Sequence, residues 1–450
     1  MSDDLRTAVQ RILPGVMADL DTLMRIPSVS ADPASAPQLR RCAELTADLF
    51  ATAGAAETGV LDDVEDVKPA VLARFPAPAD RPTVLLYAHY DVQPAGDPSA
   101  WTNPPFEPHQ EGGRLYGRGS ADDKAGIAAH LAAIRAYGGQ PPVGVTVFIE
   151  GEEEIGSPTL GAFLDRHRDL LAADAIVLAD SENFAAGVPA FTTTLRGLAA
   201  CVVEVRTLEH EAHSGTYGGA APDALTALCQ LLATLHNENG DVAVDGLLSA
   251  PTPVTDYAEE RLRAEATLLD GVPLLGTGSV AERIWAKPAV TVLAIDAPPL
   301  AAASNTLIPT ARAKVSLRVA PGDDASRAQR ALARHLREHA PWGVRVTVTA
   351  TDLASPYAVD THRAVFDAAR RSYRGAYGND VIDIGSGGAI PFIAEFAAAF
   401  PDAAILATSP GGDPACRAHS TDENLLLTDF EHACLAETLL LTELASPASQ

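Results

Sequence analysis

Apolar residues along this chain follow two periods, and the switches between them mark out its elements. Spacing by three and four predicts helices over 3–25 and 38–53, while short unbroken apolar runs predict strands over 70–75 and 83–88. The run Val84-Leu85-Leu86-Tyr87 has no polar face, as expected of a parallel strand covered on both sides. A helical run over 127–137 follows, then a strand over 143–149, a helix over 159–171 and a strand over 175–179. Strands alternating with helices predict parallel pairing through right-handed crossovers.

The pattern changes near residue 191. Strands over 198–205, 290–295, 311–319 and 344–349, with helices over 222–236 and 326–339, predict a separate α+β domain. Residues 239–287 are irregular, with one short helical piece near 257–269. The first pattern resumes near 357, with a helix over 361–373, a strand over 381–384, a helix over 390–396, a strand over 403–407 and a final helix over 427–444. The expected fold class is therefore α/β, a mostly parallel sheet flanked by helices. It is built from 1–190 and 353–450 and interrupted by an inserted α+β domain over 191–352.

Composition narrows the function. A chain of 450 residues, 47% hydrophobic and 20% charged, has enough apolar surface for more than one core. Its formal charge of −26 opposes binding to nucleic acid, which depends on cations meeting phosphates, and to anionic membranes. No apolar run approaches the ~20 residues of a membrane span. The start, Met1-Ser2-Asp3-Asp4, lacks the basic and apolar regions of a secretion signal, so a cytoplasmic location is expected. Cys42, Cys201, Cys229, Cys416 and Cys434 are far apart and contain no C-x-x-C pair. Buried free thiols are expected, rather than disulfides or a thiolate metal site.

The candidate chemistry lies at strand ends. His89 and Asp91 follow the 83–88 strand, Glu152–Glu154 the 143–149 strand, and Asp180 the 175–179 strand. In open α/β sheets that is where ligands bind. The stretch Gly117-Arg118-Gly119-Ser120-Ala121-Asp122-Asp123-Lys124 delivers two acids to the entrance of the next helix, and His419 lies near the chain's end. One acid at a helix entrance is an ordinary cap. Imidazoles and carboxylates together suit zinc, and open zinc sites perform hydrolysis. A pair of zinc ions ~3.5–4 Å apart needs a shared carboxylate, for which Asp122 is the candidate. Asp91 can accept the second ring N–H of His89, and of two adjacent acids one can bind metal while the other acts as base. Asp123, Glu150 and Glu152 read as local structure and Lys124 as a solvated charge. His109, His130, His236 and His362 carry no assignment. No G-x-G-x-x-G or phosphate loop follows a strand, which argues against a nucleotide-binding enzyme.

Four motifs then carry a resemblance: His89-x-Asp91-Val92-Gln93-Pro94, Leu115-Tyr116-Gly117-Arg118-Gly119-Ser120-x-Asp122-Asp123-Lys124, Glu150-Gly151-x-Glu153-Glu154-x-Gly156-Ser157 and Ala418-His419-Ser420. In this order the chain resembles the carnosinase-type dinuclear zinc dipeptidases. Their wider family holds aminoacylases, glutamate carboxypeptidase, acetylornithine deacetylase and succinyl-diaminopimelate desuccinylase. The resemblance implies a zinc-exopeptidase fold with two zinc ions per subunit. His89 and Asp180 would bind one, His419 and Glu154 the other, and Asp122 both. It implies Asp91 as the orienter of His89, and Glu153 as general base and then acid toward a water shared by the ions. The inserted domain becomes a lid that also joins a homodimer.

Within that domain, Ala212-His213-Ser214-Gly215-x-Tyr217-Gly218-Gly219 resembles the lid-histidine motif, and Arg318 the arginine near the substrate carboxylate. Where carnosinase-like relatives have Arg-Glu-Gly-Gly-Ser-Ile-Pro, this chain has Gly385-Ser386-Gly387-Gly388-Ala389-Ile390-Pro391. Gly387 and Gly388 can still offer backbone N–H groups to a carboxylate. Asp180, where deacylases tend to have Glu, favours dipeptides or short peptides as substrate. An N-acyl- or N-carbamoyl-amino-acid hydrolase is the alternative, and a non-catalytic metal-binding domain is a more distant one.

Overall fold

The computed structural model describes residues 2–64, 67–388 and 391–446. The chain divides into two compact units, Met1–Thr193 with Val359–Ile384 and Pro391–Gln450, and Thr194–Ala358 with Gly385–Ile390.

The first unit is built on a six-stranded sheet in the order Glu57–Leu61, Ala70–Phe75, Gly144–Glu150, Thr83–His89, Ala175–Leu178, Ala404–Ala407. The last four strands are parallel. The first two are antiparallel additions at one edge, and Glu57–Leu61 is a strand the apolar pattern did not disclose. It is half-exposed and opens with Glu57, Thr58 and Gly59, leaving only Val60 and Leu61 apolar, so its pairing rather than its composition defines it. The central strands Thr83–His89 and Gly144–Glu150 are buried almost end to end, because helices lie on both faces. On one face the helix Lys124–Ala136 packs on Thr83–His89, between the helices Ser2–Met24 and Leu427–Ala445. On the other face Tyr87 stacks on Phe392 with ring centroids 4.8 Å apart, and Phe148 meets Phe163 at 6.0 Å.

Several expectations need correction. Lys124 is not solvated: it is fully buried, and its ammonium donates to the carbonyls of Leu23 and Ile26 at 2.9 and 2.7 Å. The helix expected over 159–171 is two short helices, Leu160–Arg166 and Arg168–Leu171, broken at His167. Cys229 is exposed, whereas the other four cysteines are buried, and all five are free. His130, which had no assignment, is buried between the Tyr87 carbonyl and the Glu437 carboxylate, each 2.9 Å away. Ala389 and Ile390, where a helix was expected to start, lie outside the described residues, and the helix is Pro391–Ala399. Among the described residues no helix is long and apolar enough to cross a membrane.

The second unit has a four-stranded antiparallel sheet in the order Ala289–Asp296, Thr310–Val319, Gly197–Arg206, Arg345–Ala354. Helices Ala224–Ala233 and Ala325–Glu338 cover one face, each started by an Asp side chain: Asp223 accepts from Thr226 N at 2.8 Å and Asp324 from Arg327 N at 2.6 Å. Alternate residues Ala199, Cys201, Val203 and Val205, with Ala311, Ala313, Val315 and Leu317, fill the core beneath them. The intervening residues, including Leu198, Arg312, Lys314 and Arg318, belong to the opposite face.

Candidate metal centre

The first unit gathers its acids and imidazoles at the carboxyl ends of its parallel strands. His89 is the last residue of its strand. Glu153 and Glu154 form a single helical turn after Gly144–Glu150, and Asp180 stands two residues beyond Ala175–Leu178. His419 arrives from a loop, with a φ of 61°. Asp122 precedes the helix Lys124–Ala136, and the Asp122–Asp123 peptide bond is cis.

Asp122 is the meeting point. Its Oδ1 lies 3.1 Å from His89 Nε2, and its Oδ2 lies 2.8 Å from His419 Nε2. Around it, His419 Nε2 is 3.2 Å from Glu154 Oε2, and His89 Nε2 is 3.8 Å from Asp180 Oδ2 and 4.0 Å from Glu153 Oε2. Asp91 is fully buried and works in two directions. Its carbonyl and Oδ1 lie 3.1 and 3.4 Å from His89 Nδ1, and its carboxylate accepts the backbone N–H groups of Glu153 and Glu154 at 3.2 and 3.1 Å. It therefore holds one imidazole and the turn carrying both glutamates. Asp123 also lies near His89 and Asp180; its Oδ1 accepts from Gly126 N at the start of the helix and its Oδ2 from His89 N, each at 3.2 Å, while Glu154, beside His419, accepts from Gln93 N and Nε2 at 3.0 and 2.7 Å. We assign Asp123 as the helix cap.

Burial opposes every charge here, and pairing decides each outcome. Burial pushes the Asp122 carboxyl up, but hydrogen bonds from His419 and His89 outweigh it and hold the group well below the usual carboxylate range. Hydrogen bonds to Asp122 and Glu154 raise His419 to about 10 against burial. Burial lowers His89, but its bonds to Asp122 and Asp91 lift it well above its ordinary value. Burial raises Glu153 to about 9, with the charges of Asp180, Asp122 and Glu154 adding to the effect and His89 opposing it. Asp180 rises to about 7, first by burial and then by its acidic neighbours, against His89. Acids thus outnumber the two imidazoles, and among the described residues no lysine or arginine is bonded to Asp91, Asp122, Glu153, Glu154 or Asp180. A donor set of imidazoles and excess carboxylates is what divalent cations neutralise, so the residues present fit bound metal.

One residue that holds this arrangement escaped the sequence reading. Glu423 is fully buried; its Oε1 accepts from Ala121 N and Asp122 N at 3.0 and 3.2 Å, and its Oε2 from Gly119 N at 3.1 Å and Arg118 Nη1 at 2.6 Å. A glycine-bearing loop has backbone donors that must find acceptors once buried. That demand was legible at 117–122, but the acceptor's position some 300 residues away was not.

His213 and Arg318 belong to the second unit. His213 is exposed, and its Nδ1 accepts from Gly215 N at 3.1 Å, which leaves Nε2 as the ring nitrogen open to a ligand. Arg318 is half-buried at the end of Thr310–Val319. Gly388 donates its N–H to Ser386 Oγ at 3.2 Å, so of the glycine pair the Gly387 N–H is the one left to offer a ligand.

Two expectations follow from this geometry. Metal requires neutral imidazole and ionised carboxylate, whereas the metal-free cluster retains protons on His419 and Glu153 at pH 7, and the proton affinity of His89 is raised as well. Metal uptake will therefore release protons, and apparent affinity will rise with pH as these groups deprotonate. Calorimetry in buffers of different ionisation enthalpy will show a buffer-dependent heat, and identical heats would refute the proton count. Glu423→Gln puts an amide N–H₂ against the donors of Arg118 and the 119–122 backbone. It is expected to weaken metal binding by about 10- to 100-fold in a chelator competition, the usual cost of losing a ligand's support; unchanged affinity would show that the loop holds itself.

Comparison with known proteins follows the same lines. Residues 85–443 match the model of peptidase family M20/M25/M40. A cysteinylglycine-S-conjugate dipeptidase of Corynebacterium striatum is 38% identical over 369 residues, 80% of this chain and 81% of that protein. The human beta-Ala-His dipeptidase is 27% identical over 73% of this chain and 69% of its own length. Among solved structures, the dipeptidase Dug1p of Saccharomyces cerevisiae has a TM-score of 0.80 at 22% identity, covering 100% of this chain and 99% of its own. Human carnosine dipeptidase 1 has a TM-score of 0.78 at 23% identity, covering 99% and 98%. These structures share the fold, the mixed sheet included. With the family model spanning most of the chain and a relative this similar, the chain belongs to peptidase family M20/M25/M40, whose members are metal-dependent hydrolases.

Proposed function

We propose that the protein is a dipeptidase that hydrolyses the peptide bond of dipeptides or very short peptides with two zinc ions per subunit. The observation that carries this reading is Asp122, with one oxygen on each of two imidazoles. His89 and Asp180 would hold one ion, His419 and Glu154 the other, and Asp122 both. When bound, the ions supply Lewis-acid polarisation of the scissile carbonyl and make water acidic enough to attack near neutral pH.

The chain's own residues do the rest. Glu153, one-fifth exposed and 4.0 Å from His89, takes the proton from the attacking water and passes it to the leaving amine. Asp91 keeps His89 and the 153–154 turn in place for that transfer. His213, with its Nε2–H free, donates to the developing oxyanion, and Arg318 and the Gly387 N–H take the substrate's carboxylate. The relatives named as dipeptidases, and Asp rather than Glu at 180, support peptides over N-acyl amino acids. The domain boundaries 1–190, 191–352 and 353–450, with the middle domain joining a homodimer, belong to the same reading. A cytoplasmic location is supported by five unpaired cysteines.

The test is a dipeptide panel beside an N-acetyl-amino-acid panel, run on apoprotein with zinc returned in measured amounts. Dipeptides will be cleaved faster, and activity will saturate at two equivalents. Glu153→Gln will keep its metal and lose at least ~10²-fold in kcat, the ordinary share of general acid–base catalysis. Undiminished turnover in that variant would remove Glu153 from the chemistry, and faster cleavage of the N-acetyl panel would make the protein a deacylase.

A further inference from the structure

Among the described residues, Arg196 and Arg318 of the second unit have no ion pair with an acid. On the sheet face away from its helices, Arg312 pairs with Asp296 at 2.5 Å and Lys314 with Asp352 at 2.8 Å. Arg318, the next cation along that face, has neither a hydrogen bond nor an ion pair among the described residues. The register sets Arg318 opposite Leu198 and Val319 opposite Gly197. Residues directly opposed across an antiparallel pair share a face, as do alternate residues along a strand. Arg196 lies one residue before the strand Gly197–Arg206, close enough to Arg318 for the two charges to act on each other.

Arg196 is only 9% exposed. One edge of its guanidinium is spent on backbone: Nε donates to Gly387 O at 3.3 Å, and Nη1 to the carbonyls of Arg283 and Lys287, each at 3.4 Å. Its Nη2 makes no hydrogen bond among the described residues and faces Gly387, where an added Cβ would lie 2.7 Å from it. Burial, then the charge of Arg318, lowers Arg196 to about 10, so it stays a cation at neutral pH beside a second cation. A near-buried guanidinium beside a half-buried one, with no acid paired to either among the described residues, is costly, and a carboxylate matches the guanidinium fork. Gly385 shows why no side chain at that position serves instead: a Cβ there would lie 2.6 Å from Trp285 and 2.7 Å from Thr194 Oγ1.

We propose that Arg196 is a specificity-determining residue, forming with Arg318 and the Gly387 N–H a corner that binds the C-terminal carboxylate of the dipeptide. The assignment rests on the dipeptidase reading. It makes the free acid, rather than any amide of the same sequence, the preferred substrate.

The measurement is kcat/KM for one dipeptide and for its C-terminal amide, in the unaltered enzyme and in Arg196→Met, Arg196→Lys and Gly387→Ala. The unaltered enzyme will prefer the acid. Arg196→Met will reduce that preference at least about tenfold, mostly through KM, with turnover of the amide kept, as expected for loss of a charged hydrogen bond. Arg196→Lys will fall between, and Gly387→Ala, whose methyl displaces Nη2, will follow Arg196→Met in direction. Should Arg196→Met fail to fold, the other two variants carry the same ratio. Equal losses on acid and amide would make Arg196 a structural support and overturn the proposal. If the unaltered protein cleaves neither compound, the dipeptidase reading falls. Calorimetric affinity for acid over amide then decides the corner, and no preference refutes it.

Discussion

A single carboxylate shared between two imidazoles is the constraint on which the rest of the first unit depends. Asp122 has one rotatable bond fewer than a glutamate, so its two oxygens reach His89 and His419 only if its backbone is fixed. The surrounding structure supplies that fixing. Glu423 receives the N–H groups on its N-terminal side, and Asp123, immediately after it, caps a helix buried along nearly its whole length. Lys124 then ties the start of that helix to the carbonyls that end the first helix. Packing, capping and the loop's hydrogen bonds all converge on one side chain.

The electrostatics explain why such an arrangement persists. Carboxylates packed this closely raise one another's proton affinity, as at Glu153 and Asp180, and the two imidazoles neutralise only part of the charge. By itself this is an unfavourable way to fold, and its order comes from partners that are not charged groups. The backbone N–H groups of Glu153 and Glu154 meet Asp91, that of His89 meets Asp123, and those of Gly119 and Ala121 meet Glu423. Asp91, Asp123 and Glu423 hold backbone, while Asp122, Glu153, Glu154 and Asp180 group around the two imidazoles, Glu154 being itself held by Gln93.

Much of this was legible before any coordinates. Continuous apolar strands ending in His or acid announce both a parallel sheet and the edge where ligands gather, and His89, Glu154 and Asp180 stand at such ends. What stayed hidden depends on partners far away in the chain. Glu423 reads as one acid among several after His419 until the loop it receives is seen. Lys124 reads as a surface charge because its two carbonyl partners leave no mark on the side-chain pattern. The Glu57–Leu61 strand has a composition suited to a loop, and only pairing with Ala70–Phe75 makes it a strand. Arg196 follows an unremarkable run of threonines, and its significance comes from strand register and from a glycine almost 200 residues on.

The reach of Glu423 has a consequence for how the protein is made. The loop at 117–122 leaves the ribosome early with Asp122, but its acceptor Glu423 and His419 are translated some 300 residues later. Until they emerge, the nascent chain holds four of the five proposed ligands but lacks His419 and the acceptor that fixes Asp122. A fragment released before residue 419 therefore lacks one imidazole and has no complete centre to fill.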